Sequence, residues 1–189
     1  MTDINSAPRP RAATAAKPVV APEPVRSAVA PDGLVDIMEL LFFAYRDFTG
    51  EADKILAEIG FGRAHHRVLH FVNRRPGLRV ADLLDILRIT KQSLARVLKQ
   101  LIDQDYIVVR SGEADRRERR LCPTPKGADI ALRLARLQTA RIRAALDSAG
   151  GGAEEPARRF LAGMIAAADR DAVIGMIAAA NRSRAKSGT

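Results

Sequence analysis

From Leu34 to Ile59, apolar side chains return at intervals of three and four: Leu34, Ile37, Met38, Leu41, Tyr45, Phe48, Ala52, Ile55, Leu56 and Ile59. That period predicts one long amphipathic helix beginning near Asp32, and Gly60 and Gly62 end it. A second helix is expected over residues 63–74, with Val68, Leu69, Phe71 and Val72 inward, until "RRPG" stops it. "VADLLDIL" predicts a short third helix with Leu83, Leu84 and Leu87 on its apolar side. Only Arg88 and Ile89 separate it from a fourth, which Thr90 caps and whose buried face is Leu94, Val97, Leu98, Leu101 and Ile102. Two helices joined so tightly form a helix-turn-helix candidate.

The period then changes. "YIVVRS" is rich in β-branched residues and reads as a strand, with "RRLCP" as its return, so the segment between them is the tip of a β-hairpin. Thr124 and Pro125 form a cap-and-first-position pair that opens a long helix over residues 125–149, which "GGG" breaks. A last helical region runs from Glu154 to about Ala180 and contains "GMIAAAD" and "GMIAAAN", a spacing that suggests two helices rather than one. The fold class is therefore mainly α with a small β-hairpin wing. The organisation is a flexible tail (1–31), a first helix (32–62), a winged helix-turn-helix region (63–124), C-terminal helices (125–181) and a basic frayed end (182–189). The tail assignment rests on composition, since residues 1–31 hold six prolines and eight alanines and almost nothing bulky to bury.

Charge adds a partner to this picture. The formal net charge is +9 over 189 residues, which favours nucleic acid ahead of an acidic membrane surface. No run of about 20 apolar residues exists to span a membrane. One cysteine, Cys122, allows no internal disulfide, and a cytoplasmic setting fits. No Ser–His–Asp spacing, phosphate-cradling glycine loop or paired carboxylates stand out, so nothing supports an enzyme, and no cofactor is implied.

The fourth helix places Gln92, Arg96, Lys99 and Asp103 opposite its apolar face, with Thr90, Lys91, Gln92 and Ser93 around its first turn. Short polar groups at the start and cations further along suit a helix entering a major groove, although an ordinary solvated face has the same composition. The hairpin shifts the balance. "GEADRRERRL" packs Arg116, Arg117, Arg119 and Arg120 into five positions, and like charges so close need a negative partner outside the chain. Arginine suits the minor groove beside a helix-filled major groove, and Asp115 is placed to orient Arg117. Double-stranded DNA is therefore the expected partner, read by Thr90, Lys91, Gln92, Ser93, Arg96, Lys99, Arg116, Arg117 and Arg119. The alternative is a non-specific architectural DNA coat that uses charge alone.

The stretch from "VADLLDILRITKQSLARVLKQ" to "RRERRLCPTPKG" resembles the winged-helix region of MarR-type transcriptional regulators, and "LLFFAYRDFTGEADKILAEIGFGRAHHRVLHFV" resembles the PetP-like branch of that family. The family's wing carries Asp-x-Arg-Asp-x-Arg before Leu-Thr-x-x-Gly. Asp115-x-Arg117 matches its second half, and Thr124 and Gly127 match the closing motif. Gly112 and Ala114 stand where the first Asp and Arg would be, and Pro123 replaces the Leu, which points to Arg116 or Arg119 as a substitute in the first salt bridge. The resemblance implies a homodimer joined through the first helix and the last two, acting on a pseudo-palindromic site. It also implies a small aromatic effector bound between the dimer helices and the winged module.

Phe42, Tyr45, His65, His66 and His70 are the candidates for such a pocket; the simpler reading is that the aromatic rings fill the core. His66 and His70 lie one turn apart, as a metal pair would, but no nearby cysteine or carboxylate completes a site, so structural histidines are expected and no metal. Cys122 reads as a half-buried strand residue.

Overall fold

A computed structural model describes residues 33–112 and 118–187; the tail 1–31 and the wing-tip residues Asp115, Arg116 and Arg117 lie outside the described residues. The elements run α1 (Val35–Glu58), α2 (Arg63–Arg74), β1 (Leu78–Arg79), α3 (Val80–Leu87), α4 (Lys91–Asp103), β2 (Ile107–Ser111), β3 (Arg119–Pro123), α5 (Pro125–Ala149), α6 (Glu154–Gly163) and α7 (Ala167–Ser187). This is the mainly helical winged architecture that the apolar pattern predicts. Two details differ. The two-residue β1 adds a third strand, giving an antiparallel sheet of order β1-β3-β2. And α7 continues to Ser187, so the basic end is helical as far as that residue rather than frayed.

The core lies where α2, α3, α4 and the sheet meet. Leu69, Leu83, Leu94, Leu101, Ile107 and Leu121 are fully or almost fully buried there, and Leu56 and Leu134 bring α1 and α5 onto it. Each such side chain contributes about 1.5–3 kcal/mol relative to exposure, so this cluster orients the helix-turn-helix on the long helices. The buried positions of α4 are Leu94, Val97, Leu98 and Leu101, the period read from the sequence.

Local chemistry sets the boundaries. Gly60, at φ +74, turns the chain out of α1. Between α3 and α4 the turn is made by Arg88, in the left-handed region at φ 50, while Arg67 Nη2 donates to the Leu87 carbonyl that the end of α3 leaves open. Arg170 shapes the α6–α7 bend, where its guanidinium donates to the carbonyls of Ala162, Gly163 and Ile165 at 2.9, 2.8 and 3.0 Å.

The long helices are only half covered. The second half of α1 buries Thr49, Ala52 and Leu56. Its first half leaves Leu34, Ile37, Met38, Leu40, Phe42 and Phe43 exposed, and Tyr45 with them. Phe42, Phe43 and Tyr45 of α1 therefore do not fill the core of a single chain, because among the described residues no element covers them. Phe160, Leu161 and Met164 of α6 are exposed as well.

Candidate nucleic-acid interface

The start of α4 is held by its own side chains. Thr90 Oγ1 accepts the Ser93 backbone N–H at 3.1 Å and donates to Ser93 Oγ at 2.9 Å. The Thr90 hydroxyl is thereby committed to the cap, a contact type that contributes about 0.5–2 kcal/mol. Lys91, Gln92 and Arg96 are exposed on the outer face. Lys99 lies a little further along, and its Nζ meets Asp103 Oδ2 at 2.6 Å across one turn of exposed helix. An exposed i,i+4 pair is worth only about 0.3–0.5 kcal/mol, so a phosphate can draw the ammonium away from its carboxylate.

A groove of about 560 Å³ runs between this helix and the sheet. Its floor is apolar, from Val80, Leu84, Leu94, Leu98, Val109 and Leu121, and its rim carries Lys91, Lys99 and Arg119. Arg119 thus stands on the α4 side of the wing root. Its neighbour does not. Successive strand residues point to opposite faces, and Arg120 lies in register between Arg79 of β1 and Arg110 of β2, so three arginines stand abreast on the other face. Like charges directly opposite one another are unfavourable. Two carboxylates offset them: Asp82 receives Arg79 Nη2 at 2.6 Å, and Glu118 receives Arg120 Nη2 at 2.7 Å. The Arg79 guanidinium beside Asp82 also holds that carboxyl below its ordinary pKa.

Of the five residues considered for an effector pocket, Phe42, Tyr45, His65 and His66 do not line the cavity that holds His70. His65 is a local brace: its Nδ1 accepts the Gly62 N–H at 3.1 Å, which leaves Nε2 as the donor to Gln100 Oε1 of α4 at 2.7 Å. Its ring stacks on Phe61 at 4.6 Å. Phe42 and Tyr45 lie on the exposed half of α1, the latter beneath the Arg63 guanidinium at 5.8 Å. His66 is half-buried, and burial lowers its pKa. His70 does line a cavity, one of about 310 Å³ between α2, α5 and α7, together with Phe71, Arg74, Arg75, Thr139 and Met176. Its pKa is drawn down to about 4, by desolvation first and then by the charges of His66, Arg74 and Arg75. The side chain is nonetheless exposed.

Sequence reasoning missed several groups around these sites. Arg75 Nη2 is buried without a hydrogen-bond partner among the described residues, and burial lowers the guanidinium's pKa. Arg74 Nη2 donates to Asn181 Oδ1 at 2.8 Å, and Arg88 meets Asp169 at 2.6 Å, so α7 is tied both to α2 and to the helix-turn-helix bend. None of these long-range pairs has a signal in sequence spacing. Arg79 and Asp82, three apart at the start of α3, do. Among the described residues no group of three or more His, Cys, Asp or Glu could hold a metal ion, and no helix is long and apolar enough to cross a membrane.

Comparison with known proteins bears on this geometry. The sequence model of the MarR family matches residues 59–118, from the end of α1 to the wing root. The HTH-type transcriptional regulator PetP of Rhodobacter capsulatus is 48% identical over 128 residues, covering 68% of this chain and 77% of that protein. Among solved structures, the MepR Q18P mutant from a multidrug-resistant S. aureus clinical isolate has a TM-score of 0.59 at 15% identity, covering 68% of this chain and 94% of that one. A MarR protein from Peptoclostridium difficile has a TM-score of 0.59 at 16% identity, covering 77% and 92%. At such identities the solved structures speak to the fold alone.

Proposed function

Because the chain belongs to the MarR family of transcription regulators, we propose that it binds a pseudo-palindromic DNA site as a homodimer and is released by a small aromatic acid. The observation that carries the DNA reading is the shared groove, lined by Arg119 of the wing root and by Lys91 and Lys99 of α4. In this reading Thr90 caps α4, and Lys91, Gln92, Ser93 and Arg96 meet bases or phosphates in the major groove. Lys99 and Arg119 take the phosphates that pass between helix and wing, while Arg116 and Arg117, the latter oriented by Asp115, serve the minor groove.

The exposed apolar half of α1, with Phe160 and Met164 of α6, supports pairing with a second copy. Residues 32–62 and 125–181 are then the dimerisation helices. Recognition helices about 34–36 Å apart would enter successive major grooves. The cavity between α2, α5 and α7 supports the effector, since Arg75 offers an unpaired buried donor beside the Phe71 ring. A carboxylate would satisfy that donor, and an aromatic ring would suit the apolar wall.

Gel-shift titration against the DNA flanking the chain's own gene tests the reading, with a scrambled duplex as competitor at about 150 mM salt. A specific regulator prefers its site by about 10³ or more. Equal competition by the scrambled duplex would favour an architectural coat that works by charge, and no shift at all would remove DNA as the partner.

A further inference from the structure

Glu118 is the single acid in the arginine run from residue 116 to 120, and nothing in the DNA-binding reading uses it. Its carboxylate reaches in two directions. One oxygen receives Arg120 Nη2 at 2.7 Å along β3, and the other lies 3.7 Å from Arg79 Nη1 on β1. Arg79 is in turn fastened to α3. Its Nε and Nη2 donate to the Asp82 carboxylate, and Asp82 Oδ2 also accepts the Arg79 backbone N–H at 3.3 Å, closing the first turn of the helix. The backbone of Glu118 takes part as well, since its carbonyl accepts the Gly112 N–H at 3.0 Å where the two wing strands separate.

These contacts form one path from the wing root to the first helix of the helix-turn-helix. Without the carboxylate, Arg79, Arg120 and Arg110 would stand abreast with Asp82 alone, among the described residues, to offset them, and their repulsion would push β1, β3 and β2 apart. Arg119 is the next residue along β3, so any turn of the strand there moves it relative to α4. Building on the DNA-binding reading, we propose that Glu118 is a positioning residue. Acting through Arg79 and Arg120, it fixes the wing root against α3, so that Arg119 meets the duplex in register with the recognition helix.

The sign of the expected effect separates this role from simple electrostatics. Glu118→Gln removes one negative charge from the wing, which makes the chain more positive by one. If charge were the whole matter, affinity for every duplex would rise and the salt slope would steepen by up to about one unit. A positioning role gives the opposite for the preferred site: affinity falls about tenfold, the scale of one misplaced contact, while binding to unrelated DNA does not weaken.

The test is fluorescence anisotropy with the full chain across a salt series. Two duplexes are used: one enriched by the parental chain from a random-sequence library, and its scrambled counterpart. Glu118→Gln is compared with Glu23→Gln, which removes a carboxylate from the segment 1–31, to which the DNA-binding reading assigns no role. Loss of preference in the first and not in the second is the expected result. Unchanged or tighter binding of both duplexes by Glu118→Gln overturns the proposal. Should that variant melt out, Glu118→Asp decides: it keeps the charge but shortens the reach to Arg79, and an undiminished preference would be equally fatal. If the parental chain enriches no duplex, the DNA-binding reading itself fails, and this proposal with it.

Discussion

Arg119 and Arg120 are consecutive, yet they stand on opposite faces of the wing sheet. Arg119 looks into the groove beside α4, and Arg120 is held by Glu118 on the far side between Arg79 and Arg110. The arginine cluster that the sequence presents as one charge is thus divided by the two-residue period of the strand.

The division predicts unequal effects. Arg119→Ala should weaken binding to all duplexes and make the salt slope shallower by about one unit, as loss of one phosphate contact does. Arg120→Ala should leave the slope unchanged, because its guanidinium faces away from α4. Salt titrations of both variants on one duplex check this, and equal slopes in the two would mean that the faces do not matter to binding.

Much of this arrangement was legible in the sequence, and the reason is local. The period of α4 identified Leu94, Val97, Leu98 and Leu101 as its inner face, and Thr90 as its cap, because both depend on neighbours within one turn or two. The strands were readable from β-branched content. What escaped was long-range. The pairing of Leu78 with Leu121 that creates β1, and the Arg88–Asp169 and Arg74–Asn181 ties, join segments separated by tens of residues, whose approach no local pattern encodes. The aromatic residues of α1 were misjudged as core for a related reason. Apolar periodicity shows that a helix face is to be covered, and does not say whether the cover comes from the same chain.

That uncovered face gives a second prediction. Phe42 is 62% exposed in the single chain, so Phe42→Glu should leave the fold of one subunit intact. If α1 pairs with a second copy, the charge falls inside the interface and should weaken the dimer at least about 30-fold, the scale of a hot spot of 2 kcal/mol. Sedimentation equilibrium with circular dichroism separates the two effects. A parental chain that sediments as a monomer at micromolar concentration would remove the dimer from the proposal.

The histidines of α2 give a pH dependence of definite sign. His66 and His70 both have pKa values below the ordinary imidazole value, chiefly through desolvation, and that of His70 is near 4. The unfolded chain therefore binds more protons than the folded one between about pH 6.5 and pH 4, and stability falls as pH falls through that window. Above pH 6.5 both states hold the rings neutral and the effect vanishes. His70 is exposed, so screening by solvent trims its share to under about 1 kcal/mol. Thermal melts of parental and His70→Gln chains should diverge below pH 6.5, with the variant less sensitive to acid; parallel curves would show that the ring is solvated like a free one.

Gly127 tests how the wing is joined to α5. Thr124 caps that helix by accepting the Gly127 N–H at 3.0 Å, while its hydroxyl donates to the Asp105 carbonyl at 2.7 Å and its own N–H to the Tyr106 carbonyl at 3.2 Å. These bonds draw the first turn of α5 onto the residue that begins the wing. A side chain at 127 has no room: its Cβ would fall inside the Tyr106 carbonyl, which is backbone and cannot swing aside. Gly127→Ala should therefore cost at least about 2 kcal/mol in urea unfolding, since relief requires parting the helix from the sheet. Gly50 supplies the contrast. It lies inside α1 with open space around the position of a Cβ, so Gly50→Ala should stabilise by about 0.5–1 kcal/mol through helix propensity alone. If both variants unfolded at the parental urea midpoint, the tight approach of α5 to Tyr106 would not be a determinant of stability.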